Sequence, residues 1–207
     1  MSEKSGKETI AIGWKYEETL RIRGFERIAG VDEAGRGPLA GAVYTAAVIL
    51  PLGKIIPGLD DSKKLTDKKR RMFFDIIKEE ATDFCIASAG EREIDELNIL
   101  NATFQAMNRA IEGLQGVDYA LIDGDKMRGC GVPFSCLVKG DQKSYSIAAA
   151  SILAKVSRDI LMEELAEVYP QYGFEKHKGY GTKDHIAAIR EFGPCEIHRK
   201  TFLKKLI

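Results

Sequence analysis

The chain has 207 residues, of which 44% are hydrophobic and 30% are charged, as in folded globular domains. This length suits one domain. Its 31 basic and 31 acidic residues give no net charge, so a polyanionic partner would need a local basic patch. The sequence contains no apolar run long enough to span a membrane and starts without a secretory signal, so we expect a cytoplasmic protein that has no membrane partner.

The cysteines and histidines lack the spacings of a disulfide framework or a zinc site. No CxxC pair is present, and no two histidines are four residues apart. We therefore expect free thiols and no structural zinc. The residues concerned are Cys85, Cys130, Cys136, Cys195, His177, His185 and His198.

The first half of the chain predicts three strands and two helices. Residues 1–25 mix charged and apolar positions, which indicates a lead-in with a short amphipathic helix. Ile28–Val31 and Ala42–Leu50 are typical of buried strands, and the glycine-rich turn between them predicts a hairpin. Thr66 is expected to cap a helix, and Phe84–Ala89 is expected to form a third strand. The helix residues predicted to face inward are Met72, Phe73, Ile76 and Ile77.

The second half of the chain predicts alternating helices and strands. Ile94–Leu114 has apolar residues at helical spacing, and Tyr119–Ile122 and Val132–Val138 resemble short strands. Ser144–Val168, rich in alanine and serine, predicts a long helix that packs closely on a sheet, and Thr182–Glu191 predicts a short helix. This order favours an α/β fold in which helices cover a mixed sheet.

Four acidic residues fall at or just after predicted strand ends: Asp32, Glu33, Asp123 and Asp141. Sites on open α/β sheets lie there, and hydrolysis of a phosphodiester by two metal ions needs several converging carboxylates. Taken alone, each acidic pair or Asp-Gly step is also typical of a solvated turn. Because consecutive strand residues point to opposite faces, Asp32 and Glu33 would share a site only if the strand ends or bulges there.

Seven segments, in a fixed order, carry a family resemblance. They are VDEAGRGPLAG (Val31–Gly41), DSKKLT (Asp61–Thr66), IDGD (Ile122–Asp125), KGD (Lys139–Asp141), AAASILAKVSRD (Ala148–Asp159), HKGYGT (His177–Thr182) and HRKTF (His198–Phe202). On these segments the chain resembles the ribonucleases HII, the type 2 ribonuclease H family, from residue 27 to the C-terminus. The resemblance implies a ribonuclease H-like mixed β-sheet flanked by helices. It also implies one catalytic domain, 1–207, with a C-terminal helical segment at 170–207.

The resemblance also implies an activity and its catalytic residues. The family hydrolyses the RNA strand of RNA–DNA hybrids, and it cuts 5′ to ribonucleotides embedded in duplex DNA, which removes misincorporated ribonucleotides. Two-metal-ion catalysis with Mg²⁺ or Mn²⁺ leaves 3′-hydroxyl and 5′-phosphate ends. The family's catalytic and metal-binding set falls on Asp32, Glu33, Asp123 and Asp141. Asp125 is rejected because it occupies a position that varies in the family.

Two substrate-reading elements are implied as well. Gly35, Arg36 and Gly37 match the family's GRG ribose sensor, whose backbone reaches the 2′-hydroxyl beside the cut, as the absence of glycine side chains permits. Without the family, this triplet could be a generic phosphate-binding turn. Tyr180 matches the tyrosine that stacks on the deoxyribose after the ribonucleotide. Gly181 stands where the family more commonly has proline, which we expect to loosen the placement of the ring.

Other polar residues are expected at the edges of this site. Basic residues supply most of the sequence-independent affinity for a duplex, and the candidates for phosphate contacts are Lys63, Lys64, Lys143, Lys178 and Lys183. The charged run 68–71 is expected to be a solvated helix face outside the site. Ser151, Lys155 and Arg158 lie near one helical stripe, where they either orient the metal ligands or brace the sheet.

Three rival interpretations are less well supported by the sequence. A ribonuclease HIII would need a further N-terminal domain, but only about 25 residues precede the first strand. A binding module without catalysis would not need all four carboxylates, and another nuclease on the same fold would lack the GRG triplet. The family resemblance implies a monomer. A sliding clamp is a conceivable partner, but the tail TFLKKLI contains no recognisable clamp-binding motif.

Overall fold

The computed structural model describes residues 12–59, 62 and 65–204. Strands in this part of the chain are β1 (Ile28–Ala34), β2 (Val43–Ile49), β3 (Asp83–Ala89), β4 (Tyr119–Asp123) and β5 (Phe134–Leu137). Helices are α1 (Lys15–Ile22), α2 (Asp67–Glu80), α3 (Glu91–Leu97), α4 (Ile99–Glu112), α5 (Tyr145–Val168), α6 (Phe174–His177), α7 (Lys183–Phe192) and α8 (Lys200–Leu203). Short 3₁₀ turns lie at Gly140–Gln142 and Pro170–Tyr172.

One mixed sheet organises these elements, in the strand order β3-β2-β1-β4-β5. Strands β1, β2 and β3 pair antiparallel, so the predicted hairpin is confirmed, whereas β4 runs parallel to both β1 and β5. In the ladder between β1 and β4, Val31 is opposite Ile122. Asp32 and Asp123 are the next residues on these two neighbouring parallel strands, so they lie next to each other at the same edge of the sheet. The sheet thus confirms the predicted mixed α/β fold.

Helices cover both faces of the sheet. The alanine-rich start of α5 packs on one face, where Ala148, Ala149 and Ala150 are completely buried together with Val48 of β2. Helix α4 packs on the other face through residues that include Phe104, which lies in a cluster with strand residues of β1 and β4. Small side chains on α5 let its backbone approach the sheet closely, as the sequence predicts. The start of α5 is thereby placed at the edge where β1 and β4 end.

Two sequence expectations are corrected at the level of the helices. Met72, predicted to face inward, is 49% exposed, because the buried stripe of α2 runs through Phe73 and Ile77 instead. The single helix predicted for Ile94–Leu114 is two helices, α3 and α4. They separate at Asn98, whose φ is +67° and whose side chain caps α4 by accepting two backbone hydrogen bonds.

The C-terminal helices form a smaller core of their own against the end of α5. Leu39, Met162, Phe174 and Leu203 are buried together there. Leu39 belongs to the loop between β1 and β2, so this core contacts the loop that follows the central strand.

The four cysteines are free thiols. In the described part of the chain, no helix combines the length and the apolar character that crossing a membrane requires.

Helix α1 is attached to the start of α5 by a buried carboxyl group. Glu17 is 2% exposed, and one of its oxygens accepts hydrogen bonds from the Ser144 hydroxyl at 2.5 Å and from the Ser146 amide at 3.3 Å. Its other oxygen is buried without a hydrogen-bond partner in the described structure. Burial raises the pKa of Glu17 above the usual 4.5, although the hydrogen bonds from Ser144 and Ser146 oppose this effect.

This geometry predicts a pH-dependent effect of Glu17→Gln on stability. A carboxyl group whose pKa is raised by folding contributes stability at low pH, and that contribution is lost as the pH rises through the folded-state pKa. Relative to wild type, Glu17→Gln should therefore gain free energy of unfolding as the pH increases from about 4.5 to 7. Urea unfolding across this range measures the difference. Exposed Glu18→Gln is the matched control; a difference that stays constant with pH for Glu17→Gln would contradict the assignment.

Candidate active site

Three acidic residues converge at the sheet edge where β1 and β4 end. Asp32 lies in β1, Asp123 is the last residue of β4, and Asp141 lies in the 3₁₀ turn before α5. One carboxylate oxygen from each residue falls within 4.8 Å of the other two. Asp32 and Asp141 are only 4% and 1% exposed. The fold therefore brings together three of the four acidic residues singled out in the sequence.

Short hydrogen bonds fix the orientation of two of these carboxylates. Asp32 Oδ1 accepts a hydrogen bond from the Glu33 amide at 2.7 Å, and Asp123 Oδ1 accepts one from the Gly140 amide at 2.6 Å. The Ser151 hydroxyl of α5 also hydrogen-bonds Asp32, and its oxygen lies 2.8 Å from the Ser62 hydroxyl. Backbone amides and a buried pair of hydroxyl groups thus hold the carboxylates in place.

The site is electrostatically suited to a cation. Burial raises the pKa of Asp32 well above its usual value, and the neighbouring charges of Glu33 and Asp123 raise it further. Several buried carboxylates are costly without a compensating positive charge. A divalent ion with a preference for oxygen ligands, such as Mg²⁺ or Mn²⁺, fits this donor set.

Glu33, the fourth predicted ligand, is not part of this group of three carboxylates. The pairing of β1 with β2 is regular from Gly30 to Ala34, so the strand shows neither the end nor the bulge between Asp32 and Glu33 that we took to be the condition for a shared site. Glu33 nevertheless lines the same cleft, and its carboxylate lies 3.4 Å from the guanidinium of Arg36. Its charge is close enough to act on the pKa of Asp32.

The predicted substrate-reading elements border this cleft. Gly35 has a φ of +95°, and a Cβ added there would lie 2.1 Å from Arg158 Nε, so glycine is required. A Cβ on Gly37 would lie 3.6 Å from the ring of Tyr180, which is 46% exposed. The cleft has a volume of about 250 Å³. Its lining residues are Asp32, Glu33, Ala34, Gly35, Ser62, Arg70, Asp123, Ser151, Lys155 and Tyr180.

The predicted phosphate-contacting lysines are less closely associated with the cleft. The ammonium group of Lys143 donates a hydrogen bond to the backbone carbonyl of Val138 at 2.7 Å. Lys178 donates to Glu163 at 2.9 Å and to the carbonyl of Glu175 at 2.7 Å, so its ammonium group is held within the protein. The predicted residues Lys63 and Lys64 lie outside the described part of the chain.

Sequence reasoning missed two residues of the cleft. Arg70 belongs to the run 68–71 that we expected to be solvated, yet it lines the cleft and donates to the Ser62 carbonyl at 3.1 Å. Arg70 precedes Phe73 by three residues and Ile77 by seven, so helical periodicity places it on the buried side of α2. That spacing was the signal that would have identified it. Ser62 carried no comparable signal.

The three polar residues on the stripe of α5 have different partners. Ser151 orients a carboxylate, because it hydrogen-bonds Asp32. Arg158 braces neither the carboxylates nor the sheet but donates to two carbonyls of the loop between β1 and β2. Lys155 lines the cleft and pairs with Asp159 at 2.6 Å.

Comparisons with known proteins agree with this geometry. The model of the family described as Ribonuclease HII matches residues 29–205. The ribonuclease HII of Caldicellulosiruptor saccharolyticus is 55% identical over 195 residues, which cover 94% of this chain and 95% of that protein.

Solved structures show the same fold. The ribonuclease H2 of Pyrococcus horikoshii OT3 has a TM-score of 0.72 and 26% identity, covering 87% of this chain and 97% of that one. The ribonuclease HII of Archaeoglobus fulgidus, solved in a complex with PCNA, has a TM-score of 0.68 and 22% identity, covering 86% of this chain and 96% of that one. The chain therefore belongs to the ribonuclease HII family and is a ribonuclease H, an enzyme that hydrolyses phosphodiester bonds.

Proposed function

We propose that the enzyme cuts the RNA strand of RNA–DNA hybrids and cuts 5′ to single ribonucleotides embedded in duplex DNA, leaving 3′-hydroxyl and 5′-phosphate ends. Its role would be the removal of misincorporated ribonucleotides. The observation that carries this proposal is that one cleft is lined by the carboxylates of Asp32, Glu33 and Asp123, by the start of the GRG loop and by the exposed ring of Tyr180.

The carboxylates would hold two divalent ions, Mg²⁺ or Mn²⁺, with Asp32, Glu33, Asp123 and Asp141 as ligands. The close approach of three carboxylate oxygens and the raised pKa of Asp32 support such a site. When bound, the ions would activate the attacking water and stabilise the leaving 3′ oxygen. The Ser151 hydroxyl and the amides of Glu33 and Gly140 would keep the ligands oriented.

The loop and the tyrosine would select the site of cleavage. A protein distinguishes RNA from DNA by the 2′-hydroxyl, and the backbone of Gly35, Arg36 and Gly37 can approach a ribose closely beside the carboxylates. The exposed ring of Tyr180 lies next to Gly37, and from there it would stack on the following sugar. The proposed contacts to phosphates are those of the lysines named from the sequence, Lys63, Lys64, Lys143 and Lys178, of which Lys178 would bind a phosphate in place of Glu163.

We also infer a single catalytic domain, 1–207, that includes the C-terminal helical segment at 170–207. The shared core of that segment with Leu39 and Met162 supports treating it as part of the domain. A cytoplasmic monomer stays a prediction of the sequence. A sliding clamp is not part of this proposal, since the clamp complex concerns the relative from A. fulgidus.

Replacement of one proposed metal ligand tests the activity. Asp141→Asn should lower kcat on a DNA duplex with one embedded ribonucleotide by more than about 100-fold, because loss of a group that merely orients a ligand costs about 10–100-fold. The assay maps the cut with Mg²⁺ and with Mn²⁺ and includes an all-DNA duplex. Exposed Asp125→Asn, near the same cleft but outside the proposed ligand set, is the matched control and should retain full activity.

Three results of this assay would contradict the proposal. An intact substrate with either metal, alongside tight binding of the duplex, would identify a binding protein without catalysis. Cleavage of the all-DNA duplex would show that the enzyme does not need a 2′-hydroxyl to select its site of cleavage. Loss of activity in Asp125→Asn with retention in Asp141→Asn would show that the ligands are wrongly assigned.

Replacement of Tyr180 tests the reading of the junction. Tyr180→Ala should reduce the preference for a single embedded ribonucleotide over a continuous RNA–DNA hybrid by about 10-fold, because aromatic stacking on a nucleic acid is worth about 1–3 kcal/mol. Tyr180→Phe retains the ring and should retain the preference. The ratio of kcat/KM for the two substrates is the measurement. An unchanged ratio in Tyr180→Ala would show that this ring does not read the junction.

A further inference from the structure

The motif HRKTF near the C-terminus has no part in the function described so far, yet it contains a fully buried arginine. Arg199 donates from Nη2 to the carbonyl of Gly35 at 2.6 Å and from Nη1 to the carbonyl of Arg36 at 3.0 Å. It also donates to the Gly41 carbonyl from Nε at 2.9 Å and from Nη2 at 2.6 Å. One guanidinium group therefore binds both ends of the loop that carries the GRG triplet.

Arg199 is held by backbone carbonyls, and no carboxylate of the described residues lies within ion-pair distance of it. Burial, assisted by the charge of Arg158, lowers its pKa to about 9, although the charges of Glu91 and Asp95 oppose this effect. Such a buried charge is costly unless its donors are satisfied. Arg158, which is also buried, donates to the carbonyls of Ala40 and Ala42 at 3.1 Å each. The carbonyl oxygens of this loop are thus oriented by two buried guanidinium groups.

The residue before Arg199 begins a second set of hydrogen bonds, which leads to Tyr180. The Cys195 amide donates to His198 Nδ1 at 2.9 Å, and His198 Nε2 lies 3.1 Å from His185 Nε2. His185 Nδ1 in turn lies 2.9 Å from the backbone carbonyl of Tyr180. We call Cys195, His198, His185 and the Tyr180 carbonyl the histidine chain.

The contacts of the histidine chain determine which nitrogens carry protons. A carbonyl can only accept, so His185 Nδ1 must be protonated, and the Nε2 of this neutral ring is then an acceptor. Because the two Nε2 atoms face each other, the one of His198 must carry the proton and donate to His185. His198 Nδ1 is then left to accept from the Cys195 amide, the shortest of its contacts, which also include the Cys195 carbonyl at 3.3 Å and Sγ at 3.1 Å. Burial lowers the pKa of His185 to about 4 and also lowers that of His198, so both rings are neutral near pH 7. Every ring nitrogen of the pair has a partner.

The backbone connects the same two elements directly. The Arg199 amide donates to the Leu39 carbonyl and the Leu39 amide donates to the Gly179 carbonyl, each at 2.8 Å. Gly179 has a φ of +81°, and a Cβ there would lie 2.6 Å from the Ala40 carbonyl oxygen, so only glycine permits this approach. Backbone hydrogen bonds therefore join the GRG loop both to the C-terminal segment and to the segment that carries Tyr180.

We propose that His198 and Arg199 are positioning residues that set the two substrate-reading elements relative to each other. Arg199 holds the carbonyls of the GRG loop, and His198 acts through His185 on the backbone of Tyr180. Neither side chain touches the nucleic acid. This inference rests on the proposed function, because it assigns the role of positioning to contacts that serve ribose and junction reading.

A double-mutant cycle tests the histidine chain. His185→Phe keeps an aromatic ring among Phe174 and His177, whose rings lie 5.4 and 4.4 Å from that of His185, but it removes the hydrogen bond to Tyr180. It should reduce the preference for a single ribonucleotide over a continuous hybrid by several-fold. If His185 acts through Tyr180, the double variant with Tyr180→Ala should match Tyr180→Ala alone. Additive losses of preference in the double variant would overturn this step.

A second comparison tests Arg199. Arg199→Lys keeps the positive charge but cannot bind three carbonyls with a planar fork of donors. It should lower kcat on the single-ribonucleotide duplex by about 10–100-fold, as loss of a supporting contact does, with a smaller change in KM. Binding of Mn²⁺ to the folded variant should match wild type, since Arg199 does not contact the carboxylates. Exposed Lys200→Ala is the matched control and should behave as wild type. An unchanged kcat in Arg199→Lys would overturn the role of Arg199.

A spectroscopic measurement on the wild type keeps the proposal falsifiable if a variant fails to fold. The chain has three histidines, so their ring ¹⁵N shifts can be assigned individually. We expect His185 to be the Nδ1–H tautomer and His198 the Nε2–H tautomer, both neutral near pH 7. The reverse tautomer at His185 would overturn the histidine chain. Absence of ribonucleotide-directed cleavage in the wild type would instead reject the proposed function and leave the tautomers as expected.

Discussion

Three carboxylates of like charge lie close together at the edge of the sheet, and the surrounding elements are arranged to hold them there. Asp32, Asp123 and Asp141 bring oxygen atoms within 4.8 Å of one another, and Asp32 and Asp141 are buried. Burial raises the pKa of Asp32, and the neighbouring negative charges of Glu33 and Asp123 raise it further. The fold sustains the arrangement by ending two parallel strands side by side and by supplying amides and hydroxyl groups as donors. A cation is the group that completes it.

Two buried arginines near the acidic cluster are stabilised by a different kind of contact. Arg158 and Arg199 are buried like the carboxylates, but their guanidinium groups are satisfied by backbone carbonyls of the protein itself. The carboxylates are thus suited to bind ions from solution, whereas the arginines shape a loop. Both sets border the same stretch of chain, the end of β1 and the turn after it. This stretch joins the acidic cluster to the loop that carries the GRG triplet.

Much of the fold could be predicted because its determinants are local. Short runs of apolar residues marked the strands, Thr66 marked the start of α2, and the alanine-rich run of α5 marked a closely packed helix. Asn98 was missed because apolar periodicity continues across it, although its side chain caps α4 and ends the continuous helix. Met72 was misassigned because adjacent apolar residues on a helix leave its buried face ambiguous until a partner surface is known.

The candidate site was predictable only in part. Its acidic residues stand at strand ends, which a sequence shows, but the approach of Glu33 from a regular strand depends on tertiary geometry. The role of Arg199 depends on carbonyl partners that lie far away in the sequence, and no spacing in the sequence predicts such contacts. Lys178 illustrates the converse, because a lysine that looked available for phosphate is held by Glu163.

The most direct test of this account is anomalous diffraction at the manganese edge. Crystals would contain the wild-type protein, Mn²⁺ and a duplex whose junction cannot be cleaved. We predict two anomalous peaks at the cluster, coordinated by oxygens of Asp32, Glu33, Asp123 and Asp141. A well-ordered duplex in the cleft without manganese between these carboxylates would contradict the central claim, which is that they are placed to bind divalent ions.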